Sequence, residues 1–197
     1  MAGLLIAFEG LDQSGKETQA KRLQASVEGL GHQCRLLVFP DYETPIGREI
    51  GRGLRGEREF GPDVMQLLFI ANRYEYRSRL ERWLADGVIV LCDRYVASSV
   101  AYGEAHGLDP DWLTSTQRFL PWPGLTVFLD IVPETAARRK AAGRDRYERD
   151  LALLSRVRAS YQRQAMQAGW LRIDGERARE AVAAEVATAV AARLAPR

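Results

Sequence analysis

The sequence predicts an α/β fold in three layers: a five-stranded parallel sheet flanked by helices, with a short lid at approximately residues 141–148. Three observations lead there. Short apolar or β-branched runs recur along the chain, each followed by a longer stretch of helical periodicity, which is the pattern of β-α-β units. A glycine-bounded polar turn, Gly10 to Gly15, joins the first apolar run directly to the first helical stretch. The polar clusters also follow the apolar runs: Phe39-Pro40-Asp41-Tyr42 comes after the second and Asp93-Arg94-Tyr95 after the third. Parallel sheets bind ligands beyond the carboxyl ends of their strands, so clusters placed this way belong to one cleft.

Taken in order, Leu4 to Phe8 reads as a buried strand and Lys16 to Leu30 as a helix stopped by Gly31. Cys34 to Phe39 is the second strand, and a short helix follows near Ile46 to Leu54. Asp63 to Ala85 reads as one long helix stopped by Gly87, leading into the strand Val88 to Cys92 and a short helix from Ser98 to Ala105. Pro110 to Phe119 has proline where a first helical turn tolerates it. Leu125 to Ile131 is the fourth strand, followed by helices at Pro133 to Ala141 and Glu148 to Gln167. Trp170 to Ile173 is the last strand, and the alanine-rich Arg177 to Leu194 closes the chain as an amphipathic helix.

Composition narrows the function classes. A chain of 197 residues is expected to form one domain, residues 1–197, with a substantial core. Lys+Arg 28 against Asp+Glu 26 leaves no strongly basic balance, so nucleic acid is not an expected partner. Cys34 and Cys92 each lie inside an apolar run, where a small buried hydrophobe is expected rather than a disulfide or metal ligand. The N-terminal apolar stretch is too short and lacks the basic flank of a signal peptide, and no run approaches membrane-spanning length. A cytoplasmic protein with no membrane contact is the expectation.

The segment Gly10-Leu11-Asp12-Gln13-Ser14-Gly15-Lys16 reads as a phosphate-binding loop. Its glycines let successive N–H groups face one anion, the following helix adds the positive end of its dipole, and Lys16 adds a point charge. One position departs from the pattern: Glu17 stands where a magnesium-binding hydroxyl is expected, with Thr18 one place late. Glu17 could bind the metal, cap the helix or face solvent, and facing away is the expectation because its charge near a triphosphate is costly. Asp93 at the end of a strand could hold magnesium with Thr18, partly through water, or cap the next helix. Phe69 and Arg73 are four apart on one helix face, where a base could stack on the ring and the guanidinium donate to a carbonyl.

The phosphate loop preceded by Glu9, Phe39-Pro40, Phe69-x-x-Asn72-Arg73, Asp93-Arg94-Tyr95-x-x-Ser98-x-x-Ala101-Tyr102 and Arg146-Tyr147-Glu148 together resemble thymidylate kinase, from Leu4 to about Asp174. The resemblance implies a P-loop NTPase-type fold and a nucleoside monophosphate kinase. Its activity would be transfer of the γ-phosphoryl group of ATP to dTMP, with magnesium, in a cytoplasmic homodimer. By the same resemblance Phe69 stacks on thymine, Arg73 hydrogen-bonds it, and Asp12 approaches the acceptor sugar. Phe39 and Pro40, the latter holding the chain extended, would wall the acceptor phosphate, with Ser98, Ser99 and Tyr147 lining the nucleotide. Tyr102 would exclude a 2′-hydroxyl. Relatives that carry Asn at the Ser99 position and Gln at the Gly103 position leave contacts to the base edge open here. Within Arg138-Arg139-Lys140, which could be only a charged face, the resemblance implies an arginine at or near Arg138 as a platform for adenine, and Asp174 lies where relatives close that pocket. Some members carry an arginine at the Gln13 position; this chain resembles the subset that uses lid arginines, so Arg144 and Arg146 join Lys16, Asp12 and Arg94 as catalytic candidates. A slowly hydrolysing nucleotide switch and a kinase for another small acceptor, such as a deoxynucleoside, are the competing readings.

Overall fold

The structure, a computed structural model, describes residues 3–139 and 150–194. The expected lid therefore lies outside the described residues, and with it Arg144, Arg146 and Tyr147. The elements run β1 (Leu5–Glu9), α1 (Lys16–Gly29), β2 (Cys34–Val38), α2 (Pro45–Arg55), α3 (Pro62–Tyr74), α4 (Arg77–Ala85), β3 (Ile89–Asp93), α5 (Val96–Ala105), α6 (Pro110–Thr116), β4 (Leu125–Asp130), α7 (Pro133–Arg139), α8 (Leu151–Gln164), β5 (Trp170–Asp174) and α9 (Arg179–Leu194). The five strands form one parallel sheet in the order β2-β3-β1-β4-β5.

Burial explains the strand sequences. β1, β3 and β4 are buried at every position, so they read as near-continuous apolar runs. The edge strands β2 and β5 are only partly covered and tolerate arginines. Alternation along β1 sorts the helices: Ile6 and Phe8 face Leu23 and Val27 of α1 and Val182, Val186 and Val190 of α9. Leu5 and Ala7 point to the other face, toward Leu80 of α4 and Val96 of α5. A further core beneath α5 and α8 joins Leu11, Phe128 and Tyr161. Because β1 pairs with β3 on one side and β4 on the other, the chain reverses its winding there, and the crevice opens beyond Glu9.

Two expected elements differ. The stretch Asp63 to Ala85 is two helices, α3 and α4, separated at Glu75-Tyr76. Both sides of the break are tied to the loop after β2. Asn72 accepts from the Asp41 N–H at 2.8 Å and donates to Thr44 Oγ1 at 2.8 Å and to the Glu75 carboxylate at 2.8 Å. The Tyr76 hydroxyl donates to the Asp41 carboxylate, and its ring meets Phe39 edge-on at 5.5 Å. The break also serves packing: α3 points Ile70 at Val100 and Leu113, whereas α4 points Leu80 into the sheet core. The expected helix Pro110 to Phe119 likewise stops at Thr116, where Gln117 turns inward and donates to Val96 O and Leu113 O, both at 3.1 Å.

Candidate active site

Gly10 to Lys16 wraps the carboxyl end of β1. Gly10 has φ 138°, and a Cβ there would lie 2.5 Å from Leu129 O, so only glycine fits. Gly15, at φ 97°, is the residue from which α1 starts. The Lys16 side chain lies buried and donates to Leu11 O at 2.9 Å. Burial, and after it the neighbouring Arg94, lowers the Lys16 ammonium below its usual range. The buried Ser14 Oγ has no hydrogen-bond partner among the described residues, a donor left over inside the loop. Gly10 and Leu11 support the loop from behind through their carbonyls.

The loop opens on a cavity of about 1640 Å³ including its mouth, lined by Gln13 to Thr18, Asp93 and Arg94. Glu17 pairs with Lys21 at 2.5 Å on the exposed face of α1, although the residue also belongs to the cavity lining. Asp93 and Thr18 offer a carboxylate and a hydroxyl on the cavity wall. Two hard oxygen donors beside a phosphate site match what magnesium takes from protein, the remaining ligands being phosphates and water. Arg138, expected as the adenine platform, donates to Thr135 Oγ1 at 2.9 Å and is not on this wall. The neighbouring Arg139 lines it, donating to Gln13 O at 3.0 Å and Gly175 O at 3.1 Å. At the end of β5 it is Gly175 that lines the cavity, while the Asp174 carboxylate accepts from the Glu176 N–H at 2.9 Å.

A second, smaller cavity of about 560 Å³ adjoins the first, and Asp12, Phe39, Pro40 and Arg94 line both. Its own walls include Phe69, Arg73, Ser98, Ser99 and Tyr102. The expected extended passage through Pro40 is instead a bend at a cis Phe39–Pro40 peptide bond. Arg73 is 2% exposed and donates to Ser99 Oγ at 2.7 Å and Gln117 Oε1 at 3.2 Å. Burial pulls its guanidinium down to about 10, with Glu9 pulling upward.

Arg94 stands between the cavities. Its φ of 64° is unusual for a side-chain-bearing residue, and its N–H is held by Phe8 O at 2.9 Å. The guanidinium pairs with Asp12 at 2.6 Å and reaches Tyr102 OH at 3.3 Å, Gly10 O at 3.2 Å and Ser98 Oγ at 3.2 Å. Burial works to lower its pKa, but Asp12, Tyr102, Tyr161 and Asp93 raise it well above the ordinary arginine value. Behind it lies Glu9, fully buried, accepting from Ser98 Oγ at 2.6 Å, the Tyr95 N–H at 2.8 Å and Tyr161 OH at 3.0 Å.

Sequence reasoning settled on Arg138 rather than its neighbour Arg139, and missed Gln66, Gln117, Tyr161 and the supporting role of Glu9. A carboxylate ending a buried strand was a readable signal for Glu9. Tyr161 sits on α8, far along the chain, and its sequence context signals nothing.

A glycine loop between β1 and α1, at the switch point of a parallel sheet and beside a second arginine-lined pocket, defines a P-loop protein that handles phosphorylated ligands. Residues 8–186 match the Thymidylate kinase family model. The chain is 44% identical over 147 residues to thymidylate kinase of Arabidopsis thaliana, covering 75% of this chain and 56% of that protein. It is 41% identical to the Caenorhabditis elegans thymidylate kinase (74% of this chain, 71% of that protein) and 34% identical to the human one (91% and 86%). The solved thymidylate kinase of Candida albicans superposes with a TM-score of 0.83 at 28% identity, over 98% of this chain and 92% of that one. The chain belongs to the thymidylate kinase family.

Proposed function

We propose that this chain transfers the γ-phosphoryl group of ATP to dTMP with magnesium, in the cytoplasm and as a homodimer. The observation that carries the reading is the pair of adjoining cavities sharing Asp12 and Arg94, one built on the phosphate loop and one floored by Arg73. ATP lies along the larger cavity, its phosphates on the loop N–H groups and Lys16, its adenine toward Arg139 and Gly175. Asp93 and Thr18 would hold magnesium, which would supply charge neutralisation at the phosphate oxygens. The base of dTMP stacks on Phe69 with Arg73 donating to O4, and its phosphate reaches Arg94 between Phe39 and Pro40.

A phosphate oxygen of dTMP attacks the γ-phosphorus; the bond to the β,γ-bridging oxygen breaks, and ADP leaves with that electron pair. Positioning and charge neutralisation supply nearly all of the acceleration. Arg94 exchanges its contact with Asp12 for the acceptor phosphate, which frees the Asp12 carboxylate to accept from the 3′-hydroxyl. Ser98 and Ser99 support Arg94 and Arg73. Arg144 and Arg146 are proposed to bring positive charge to the transferring group, and Tyr147 to contribute to binding the acceptor.

A coupled ADP assay over dTMP, dCMP, dGMP, thymidine and no acceptor tests this. Strong stimulation by dTMP, with dTDP as product, is expected. ATP hydrolysis indifferent to acceptor, or thymidine as the preferred acceptor, would overturn it.

A further inference from the structure

Gln66 stands one turn before Phe69 and two before Arg73 on α3, so all three share a face. It is 1% exposed and lines the smaller cavity with them. Neither Oε1 nor Nε2 of Gln66 has a hydrogen-bond partner among the described residues. Ser99 and Gln117 are already committed to Arg73, and the Gln117 amide is held by two backbone carbonyls. Across from the Gln66 stem, α5 presents Gly103, where a Cβ would come 3.3 Å from Gln66 Cγ and 2.4 Å from Leu113 Cδ1. No side chain at that position can meet the amide.

A buried carboxamide without a partner is costly, and native structures rarely keep one without a reason. Its adjacent acceptor and donor match an imide edge, an N–H beside a carbonyl. We infer that Gln66 reads the base of the acceptor nucleotide, Oε1 accepting from N3–H and Nε2 donating to the adjoining carbonyl. This rests on the acceptor reading given above. Arg73 sets the choice that Gln66 alone leaves open. An amide can turn over to suit a 4-amino pyrimidine, but Arg73 has only donors and would then face an amino group. A pyrimidinedione satisfies both residues at once.

The test is steady-state kinetics of Gln66→Met and Gln66→Glu with dTMP and 5-methyl-dCMP, together with thermal unfolding. Met keeps the volume and removes the amide, so KM for dTMP should rise at least about tenfold with KM for ATP held. Its Tm should stay or rise, because an unpartnered polar group has gone. An ionised Glu offers acceptors only, so at a pH high enough to ionise it the dTMP to 5-methyl-dCMP ratio of kcat/KM should fall at least about tenfold. An unchanged KM for dTMP in Gln66→Met, whether Tm holds or drops, overturns the inference, as does an unchanged ratio in Gln66→Glu. Failure of the wild-type protein to phosphorylate dTMP would remove the acceptor reading itself, and the role of Gln66 with it.

Discussion

Arg94 is a residue whose backbone and side chain are both committed by contacts within the protein. Its left-handed φ is held by the bond to Phe8 O, and Glu9 acts at one remove through Ser98 and Tyr161. Tyr102 shares in this, since the Arg94 guanidinium lies 5.3 Å from its ring centre. Two variants separate its jobs. Tyr102→Ala removes the ring and should narrow the kcat/KM preference for dTMP over its ribonucleotide by about tenfold or more, within the roughly 10²-fold that rejecting one hydroxyl allows. Tyr102→Phe keeps the ring, so the preference should hold while the contacts to Arg94 and Asp12 weaken. A ratio unmoved by Ala would reduce Tyr102 to packing. Lys16→Ala removes the one ammonium on the loop and should cut kcat about 10²-fold or more without altering the circular dichroism spectrum. Gln13 cannot supply positive charge, so Arg146→Ala, or failing that Arg144→Ala, should lower kcat at least about a hundredfold with little change in nucleotide affinity. Near-normal turnover in both single variants and in the double variant would move that role to Arg94. Lys16, Arg94 and Phe69 were legible from the phosphate-loop spacing and the family resemblance, not from residue type alone, and all three line the cavities. Arg139 was not, because Arg138 and Arg139 are adjacent basic residues and only the angle of α7 decides which one turns to the cavity.

Among the elements, the break between α3 and α4 teaches most. Helical periodicity runs on through Asn72 to Ala85, and neither Gly nor Pro marks the interruption, so one helix is the natural reading of Asp63 to Ala85. The break is a tertiary effect. Asn72 is fully buried with its amide divided between Asp41, Thr44 and Glu75, and these bonds hold the loop after β2 against α3. That loop carries Phe39 and Pro40 onto the cavity walls. Asn72→Ala leaves the Asp41 N–H without its acceptor and should destabilise the protein by about 1–3 kcal/mol, read from urea unfolding midpoints at constant slope. It should also raise KM for dTMP more than KM for ATP, since Phe39 and Pro40 wall the smaller cavity. A loss of stability with both KM values unchanged would confine Asn72 to the fold.

On the scale of the whole molecule, the alternation of apolar runs and helical stretches made the parallel sheet legible, and the polar clusters after β1, β2 and β3 pointed to its active end. The strand order was not legible in the same way. It depends on which helices cover which face, and that follows from the pointing of Ile6 and Phe8 against Leu5 and Ala7, a property of register that no local signal states. The far side of the sheet depends on another unadvertised tie. Asp130 ends β4, and its carboxylate accepts from Arg158 on α8 at 2.6 Å, from Arg172 on β5 at 2.6 Å and from Gln162 at 3.2 Å. Burial raises the pKa of this carboxyl, yet the hydrogen bonds from Arg158, Gln162 and Arg172 outweigh it and hold the group below its usual 3.8. A carboxylate depressed in the folded state stabilises above its unfolded pKa, and that contribution is lost as pH falls through the folded value. Asp130→Asn should therefore be less stable than wild type at pH 7, with the gap closing as pH drops below about 4. Urea midpoints measured at pH 7, 5, 4 and 3 decide it: parallel curves for the two proteins across that series would mean that Asp130 gives the sheet edge no charge-dependent support.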